Sequence, residues 1–311
     1  QGNFVVSPYK GHLSNLGETL TLIDQHGMEN NFTSYAGNPT DQQEHLVITE
    51  IMYHPEPDGL AEYIELMNVS DSVTLDLAGV KFTNGIDFDF TGSSVTSLAP
   101  GGRVLVVRDL ATFELAYGEG LPVAGVFANS TSLSNAGEKL KLEDASNGTI
   151  KEFSYNDKSP WPVAADTLGY SIVLRAPGQN LDPSEPTHWR ASVAPGGTPG
   201  SSDGTLLAGN PSDDLDGDGL NALLEHALGT SDNDATQSGS ASASRMLIDG
   251  ILYDSFTYTV KEVADDVRTS VETTTDLQNW SNDPADFVEL VVTSNGDGTV
   301  TRTVRLATPA I

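Results

Sequence analysis

The sequence predicts an all-β chain built around a two-sheet sandwich. Between residues 46 and 175 the apolar residues come in short runs of strand length, rich in Val, Ile, Leu and Tyr. Turn-forming residues separate the runs at Asn84-Gly85, Pro100-Gly101-Gly102 and Asn147-Gly148. Apolar and polar residues alternate with a period of two in Ile86-Asp87-Phe88-Asp89-Phe90, and again where Leu140 and Leu142 sit between Lys139, Lys141 and Glu143. That alternation turns one strand face to a core and the other to water. Many short, punctuated strands of this kind fit two packed sheets.

Taken in chain order, the first feature is an internal repeat. Residues 13–24, LSNLGETLTLID, recur as LSNAGEKLKLED at 133–144, an offset of 120 residues. Each copy leads through a polar turn into an aromatic segment, Phe32-Thr33-Ser34-Tyr35 in the first and Phe153-Ser154-Tyr155 in the second. Residues 1–44 are therefore read as the closing strands of a domain whose front half lies outside the sequence. The chain starts Gln1-Gly2-Asn3 within a pattern and without a recognisable leader, so it reads as a processed chain or an excised fragment. Residues 45–203 form the main sandwich, with strands expected at 46–53, 62–69, 79–83, 86–90 and 103–108. A short helix is expected at 111–117, capped by Asp109. Residues 195–204, PGGTPGSSDG, have linker composition and mark a boundary. A second helix is expected at 220–228 and a second linker of small residues at 237–244. A C-terminal β module over 245–311 follows, with strands at 252–260, 267–273, 288–292 and 300–304 and a turn at 295–298.

The charge balance narrows the function. Fifteen Lys and Arg face forty-four Asp and Glu, for a net charge of −29. Such a chain repels nucleic-acid phosphates and anionic lipid surfaces, and it favours divalent cations. The absence of cysteine excludes disulfides, thiolate zinc sites and thiol catalysis. No apolar run approaches the ~20 residues of a membrane span, so no membrane insertion is expected.

The sharpest chemical signal lies at 214–225. Asp214, Asp216, Asp218, Gly219 and Glu225 fall on the D-x-D-x-D-G-x5-E spacing of a calcium loop. The three aspartates line one side of a tight turn, Gly219 permits the bend, Leu220 offers its carbonyl, and Glu225 on the following helix can bind through both oxygens. Ala222 has no side-chain oxygen, so a water is expected at that ligand position. Four carboxylates this close repel one another without a cation. Pro211 and Ser212 leave no room for the entering helix of a full EF-hand.

The stretch 214–234 resembles bacterial thrombospondin type 3 calcium repeats. That resemblance adds Asp232 as a candidate ligand and Asp234 as a weaker one, although Ser231 intervenes after Gly229-Thr230 where the repeat usually has Asp. Residues 46–200 resemble the bacterial lamin tail domain. The resemblance rests on Ile48-Thr49-Glu50-Ile51-Met52-Tyr53-His54-Pro55, Glu62-Tyr63-Ile64-Glu65-Leu66, Leu75-Asp76-Leu77-Ala78-Gly79, Leu98-Ala99-Pro100-Gly101, Leu133-Ser134-Asn135-Ala136-Gly137-Glu138 and Gly197-Thr198-Pro199-Gly200, in family order. It implies an immunoglobulin-like β-sandwich and, in bacteria, a place on large exported proteins. The stretch around 271–280 resembles terminal β modules of such proteins.

Other candidates are weaker. Residues 200–204 match G-x-S-x-G formally but lie in a Pro/Gly linker, where a nucleophile elbow needs a strand before it and a helix after it. His54, before Pro55 at a strand end, reads as structural. Glu50, Glu62 and Glu65 either gather at one end of the sandwich around a cation, or they simply hydrogen-bond loop backbone or face solvent; the second reading is the commoner one. Trp161, Trp189 and Trp280 are sugar-stacking candidates, though core or anchoring roles are more usual. The expectation is a non-enzymatic structural or adhesive module, extracellular or on a bacterial cell surface, braced by calcium and bound to a protein or polysaccharide partner. The alternative is a polysaccharide-binding module that accompanies an absent catalytic domain.

Overall fold

The computed structural model describes residue 15 and residues 17–310, apart from residues 58, 268, 296 and 297. Leu13, Ser14 and Leu16 of the repeat, and two residues of the expected turn at 295–298, lie outside the described residues. Strands β1 (Glu18–Ile23) and β2 (Glu29–Tyr35) form a two-stranded antiparallel sheet of their own. A short helix, α1 (Asp41–His45), then leads into the sandwich. The Thr40 hydroxyl accepts from the Gln43 N–H while the Gln43 side chain accepts from the Thr40 N–H, a reciprocal cap.

The sandwich uses β3 (Leu46–Met52), β4 (Tyr63–Asn68), β5 (Leu75–Asp76), β6 (Lys81–Asn84), β7 (Phe88–Asp89), β8 (Ser97–Leu98), β9 (Arg103–Val107), β10 (Val123–Val126), β11 (Lys139–Glu143), β12 (Thr149–Ser154), β13 (Ile172–Leu174) and β14 (Trp189–Ala191). One sheet runs β10-β9-β4-β3-β13-β14, the other β12-β11-β6-β7, with β5-β8 a short pair beside them. This is the all-β, immunoglobulin-like architecture expected. The alternating residues Phe88, Phe90, Val104, Val106, Leu140 and Leu142 all point into one core, each at most 8% exposed. Burial of each contributes roughly 1.5–3 kcal/mol.

Strand β3 is buried along both faces. Its inner face carries Leu46, Ile48 and Ile51 into the main core. On the outer face Met52 joins Tyr63, Leu105, Val107 and Phe113 in a second cluster. Phe113 belongs to α2 (Leu110–Tyr117), which starts one residue earlier than expected; Asp109 caps it by accepting from the Thr112 N–H at 2.8 Å. A helix over the outer face accounts for the burial of Met52 on that side, although Thr49 and Glu50 interrupt the apolar run. A further short helix, α3 (Ala164–Thr167), follows β12.

The C-terminal module is a four-stranded antiparallel sheet in the order β15-β16-β18-β17, from β15 (Ala241–Ile248), β16 (Ile251–Lys261), β17 (Phe287–Ser294) and β18 (Thr299–Leu306). Two expectations are corrected here. The small-residue stretch 237–244 is not wholly a linker, because Ala241 onward pairs with β16 residue for residue. Residues 267–273 form no strand among the described residues; Thr273 makes one isolated bridge to Ser281. The helix expected at 220–228 is α4 (Ala222–Leu228), shortened because the Asn221 side chain accepts from the Leu224 N–H and caps it there.

Candidate metal centre

The segment between the sandwich and the terminal sheet is held at both ends. Thr205 N–H donates to the Val263 carbonyl at 2.8 Å, and Leu207 N–H donates to Asp266. Helix α4 packs on β16, and His226 lies 2.9 Å from Asp266. Gly229 closes the helix at φ +79°, and a Cβ there would sit 2.5 Å from the Thr299 methyl. Only glycine permits that approach.

Within this frame, residues 214–220 fold as a chain of side chain to backbone turns. Asp214 accepts from the Gly217 N–H at 2.8 Å and the Gly219 N–H at 3.2 Å. One oxygen of Asp216 accepts from the Asp218 N–H, and one of Asp218 from the Leu220 N–H. Gly217 and Gly219 both take positive φ, at +75° and +97°. The Ala222 N–H donates to the Asp213 carbonyl at 2.7 Å and closes the loop. Oxygens of Asp214, Asp216 and Asp218 come within 4.8 Å of one another.

Glu225 supplies the second, independent observation. It is 1% exposed, and neither of its carboxylate oxygens has a hydrogen-bond donor. The second oxygens of Asp216 and Asp218, and the Thr230 hydroxyl, are likewise buried without a partner. Burial first, then the neighbouring Asp232 and the charges of Asp216 and Asp218, hold Glu225 above the usual carboxylate range, opposed by the Thr230 hydroxyl nearby. Buried carboxylate oxygens without donors are costly, and a divalent cation satisfies them directly. The donor set is all oxygen, which suits calcium.

Of the residues picked from the sequence, Asp214, Asp216 and Asp218 are brought together, and Glu225 faces the charges of two of them. Asp232 is also at the loop, accepting from the Leu215 N–H at 3.1 Å. Asp234 is turned into its own bend, bonded to Thr236 and Gln237. Thr230 was not read as a ligand from the sequence; it stood there only as half of the Gly229-Thr230 pair.

The other candidates fall elsewhere. Glu50, Glu62 and Glu65 are all buried rather than solvated, and each accepts from loop backbone: Thr198 N–H on Glu50, Leu133 N–H on Glu62, Gly200 N–H on Glu65. Arg108 pairs with Glu62, and Arg103 with Glu65. The stretch 195–204 is thus strapped onto the sandwich and is not a free linker, and its G-x-S-x-G lies in coil. His54 lies 3.3 Å from Asp166. Trp161 and Trp189 are core residues, while Trp280 is 55% exposed.

Against known proteins, the family model of the lamin tail domain matches residues 39–157. No curated protein and no solved structure matches the chain.

Proposed function

We propose that this chain, a lamin tail domain joined to a terminal β sheet, is a non-catalytic structural or adhesive module braced by calcium in its connecting segment. The observation that carries the reading is the buried Glu225 carboxylate, lacking hydrogen-bond donors beside the clustered Asp214, Asp216 and Asp218. Those four side chains, the Leu220 carbonyl and Asp232 would hold the ion, which would neutralise their mutual repulsion and tie α4 to the loop. The lamin tail domain is a non-catalytic, immunoglobulin-like family, in keeping with a binding role. A net charge of −29 argues against nucleic acid and anionic membranes as partners. We read the module as extracellular or on a bacterial cell surface, where a calcium affinity on the order of 10⁻⁴–10⁻³ M, the range of extracellular modules, would suffice.

Titration calorimetry tests this. The wild type should give binding heat at millimolar calcium and a higher melting temperature. The double variant Asp214→Ala, Asp216→Ala should lose both, and a wild type silent at millimolar calcium would refute the reading. A second reading, polysaccharide binding, rests on Trp280, exposed beside an exposed Leu277. A glycan array with wild type and Trp280→Ala separates the two.

A further inference from the structure

Hairpin β1–β2 duplicates hairpin β11–β12 down to its turn. Leu20 pairs with Thr33 and Leu22 with Asn31, as Leu140 pairs with Phe153 and Leu142 with Lys151, and both hairpins shift register at the next pair. Asp24 accepts from the His26 and Met28 N–H groups at 2.8 and 3.0 Å; Asp144 accepts from Ser146 and Gly148, both at 2.8 Å. Gly27 and Asn147 both take positive φ in the turn, and Gly17 and Gly137 take +81° and +87° at the base. At each base a tyrosine hydroxyl donates to a glutamate, Tyr35 to Glu18 and Tyr155 to Glu138.

The surroundings differ. Leu140 and Leu142 are fully buried in the sandwich, whereas Leu20 and Leu22 are 40% and 66% exposed. The free edge of β11 takes β6 through Leu142 opposite Phe82. Among the described residues, β1 pairs only with β2. An exposed two-stranded sheet of this kind is marginal by itself.

We propose that β1–β2 is a docking element that closes an open sandwich of the lamin tail type, one lacking its own counterpart of residues 138–155. A strand equivalent to β6 would pair with β1, and the partner's core would cover Leu20 and Leu22. The folded copy in the same molecule shows what covers this face. A second copy of the chain does not fit, because its β6 edge and the space beneath are already filled by β11, Leu140 and Leu142. The partner's core also differs from this one, since Asn30 and Thr33 stand where the complete sandwich has Ile150 and Phe153.

The test replaces residues 138–155 in the full chain with a copy of residues 18–35, a segment of the same length. A competent closing hairpin gives one cooperative melting transition below that of the wild type. Converting the grafted Asn30→Ile and Thr33→Phe should raise it, and converting the grafted Leu20→Ser and Leu22→Ser should abolish it. No cooperative transition in either of the first two grafts overturns the proposal, as does a serine graft that melts like the leucine one. Light scattering that shows a wild-type dimer dissolved by Leu20→Ser plus Leu22→Ser would place a second copy on the face and also overturn it. The reading rests on the lamin tail match alone. The melts are run with and without calcium, so its failure is separable from failure of the metal site.

Discussion

Glu50 is a buried carboxyl that does a structural task. Its Oε1 accepts from the Ser171 hydroxyl, the Tyr63 hydroxyl and the Thr198 N–H, at 2.5, 2.7 and 3.0 Å. Burial, opposed by the Ser171 hydrogen bond and reinforced by the charge of Glu65, pushes its pKa up to about 7 from an ordinary 4.5. Between those values the folded chain binds the proton more tightly than the unfolded chain. The stabilisation is therefore complete below about 4.5 and is lost as the pH rises through about 7. Glu62 and Glu65 are raised as well, each chiefly by burial, so they act in the same direction. The melting temperature should fall from pH 5.5 to pH 8, and Glu50→Gln, which keeps the acceptor oxygen, should flatten part of that fall. The Glu50 share is at most about 3 kcal/mol. Equal slopes for the two proteins would exclude Glu50 as the cause. Gly197 supports the same network from outside: it sits at φ +74°, and a Cβ would collide with the Glu50 carboxylate and the Tyr63 and Ser171 hydroxyls. Gly197→Ala should cost roughly 2–4 kcal/mol in a denaturant titration, well above an ordinary surface change.

Among the elements, the two matched hairpins separate local from tertiary stability. Their turns and registers agree, so the same sequence pattern builds the same local structure twice. Only one is covered. Leu142→Ala should therefore destabilise by about 2–5 kcal/mol, while Leu22→Ala should stay within about 0.5 kcal/mol. Chemical denaturation of the two variants measures the contrast, and comparable losses would mean that β1–β2 is already packed in solution. The same logic applies to β15, which has few of the residues that favour strands. Its Ala-Ser alternation becomes a strand because β16 offers it eight consecutive partners.

For the whole molecule, the sandwich and the terminal sheet are joined by a buried clamp. The Arg190 side chain is fully buried; it donates to both oxygens of Asp265 at 3.0 and 2.8 Å and pairs with Asp203. Arg175 and Arg302 share Glu262 nearby. Removing the cation leaves two buried carboxylates unpaired, so Arg190→Met should cost about 3–5 kcal/mol. It should also uncouple the two units, giving a melt with two resolved transitions in calorimetry. An unchanged single transition would show that the clamp does not carry the coupling.

Much of this was determined by the sequence alone. Period-two alternation identified Phe88, Phe90, Leu140 and Leu142 as inward, because burial of one strand face demands that pattern whatever the partner strand, whereas Val104 and Val106 lie in a run buried on both faces. The spacing of Asp214, Asp216, Asp218, Gly219 and Glu225 located the candidate site, because short-range turn geometry is encoded by neighbours a few residues apart. Tertiary structure decided what depends on distant partners. It buried the Glu225 carboxylate beside Asp216, Asp218 and Asp232, strapped 195–204 down through Glu50 and Glu65, and drew 241–248 into a sheet. It also brought Arg190 to Asp265, 75 residues away, and left one of two equivalent hairpins exposed. Local patterning specifies which face of a segment is apolar; only the folded chain decides what covers that face.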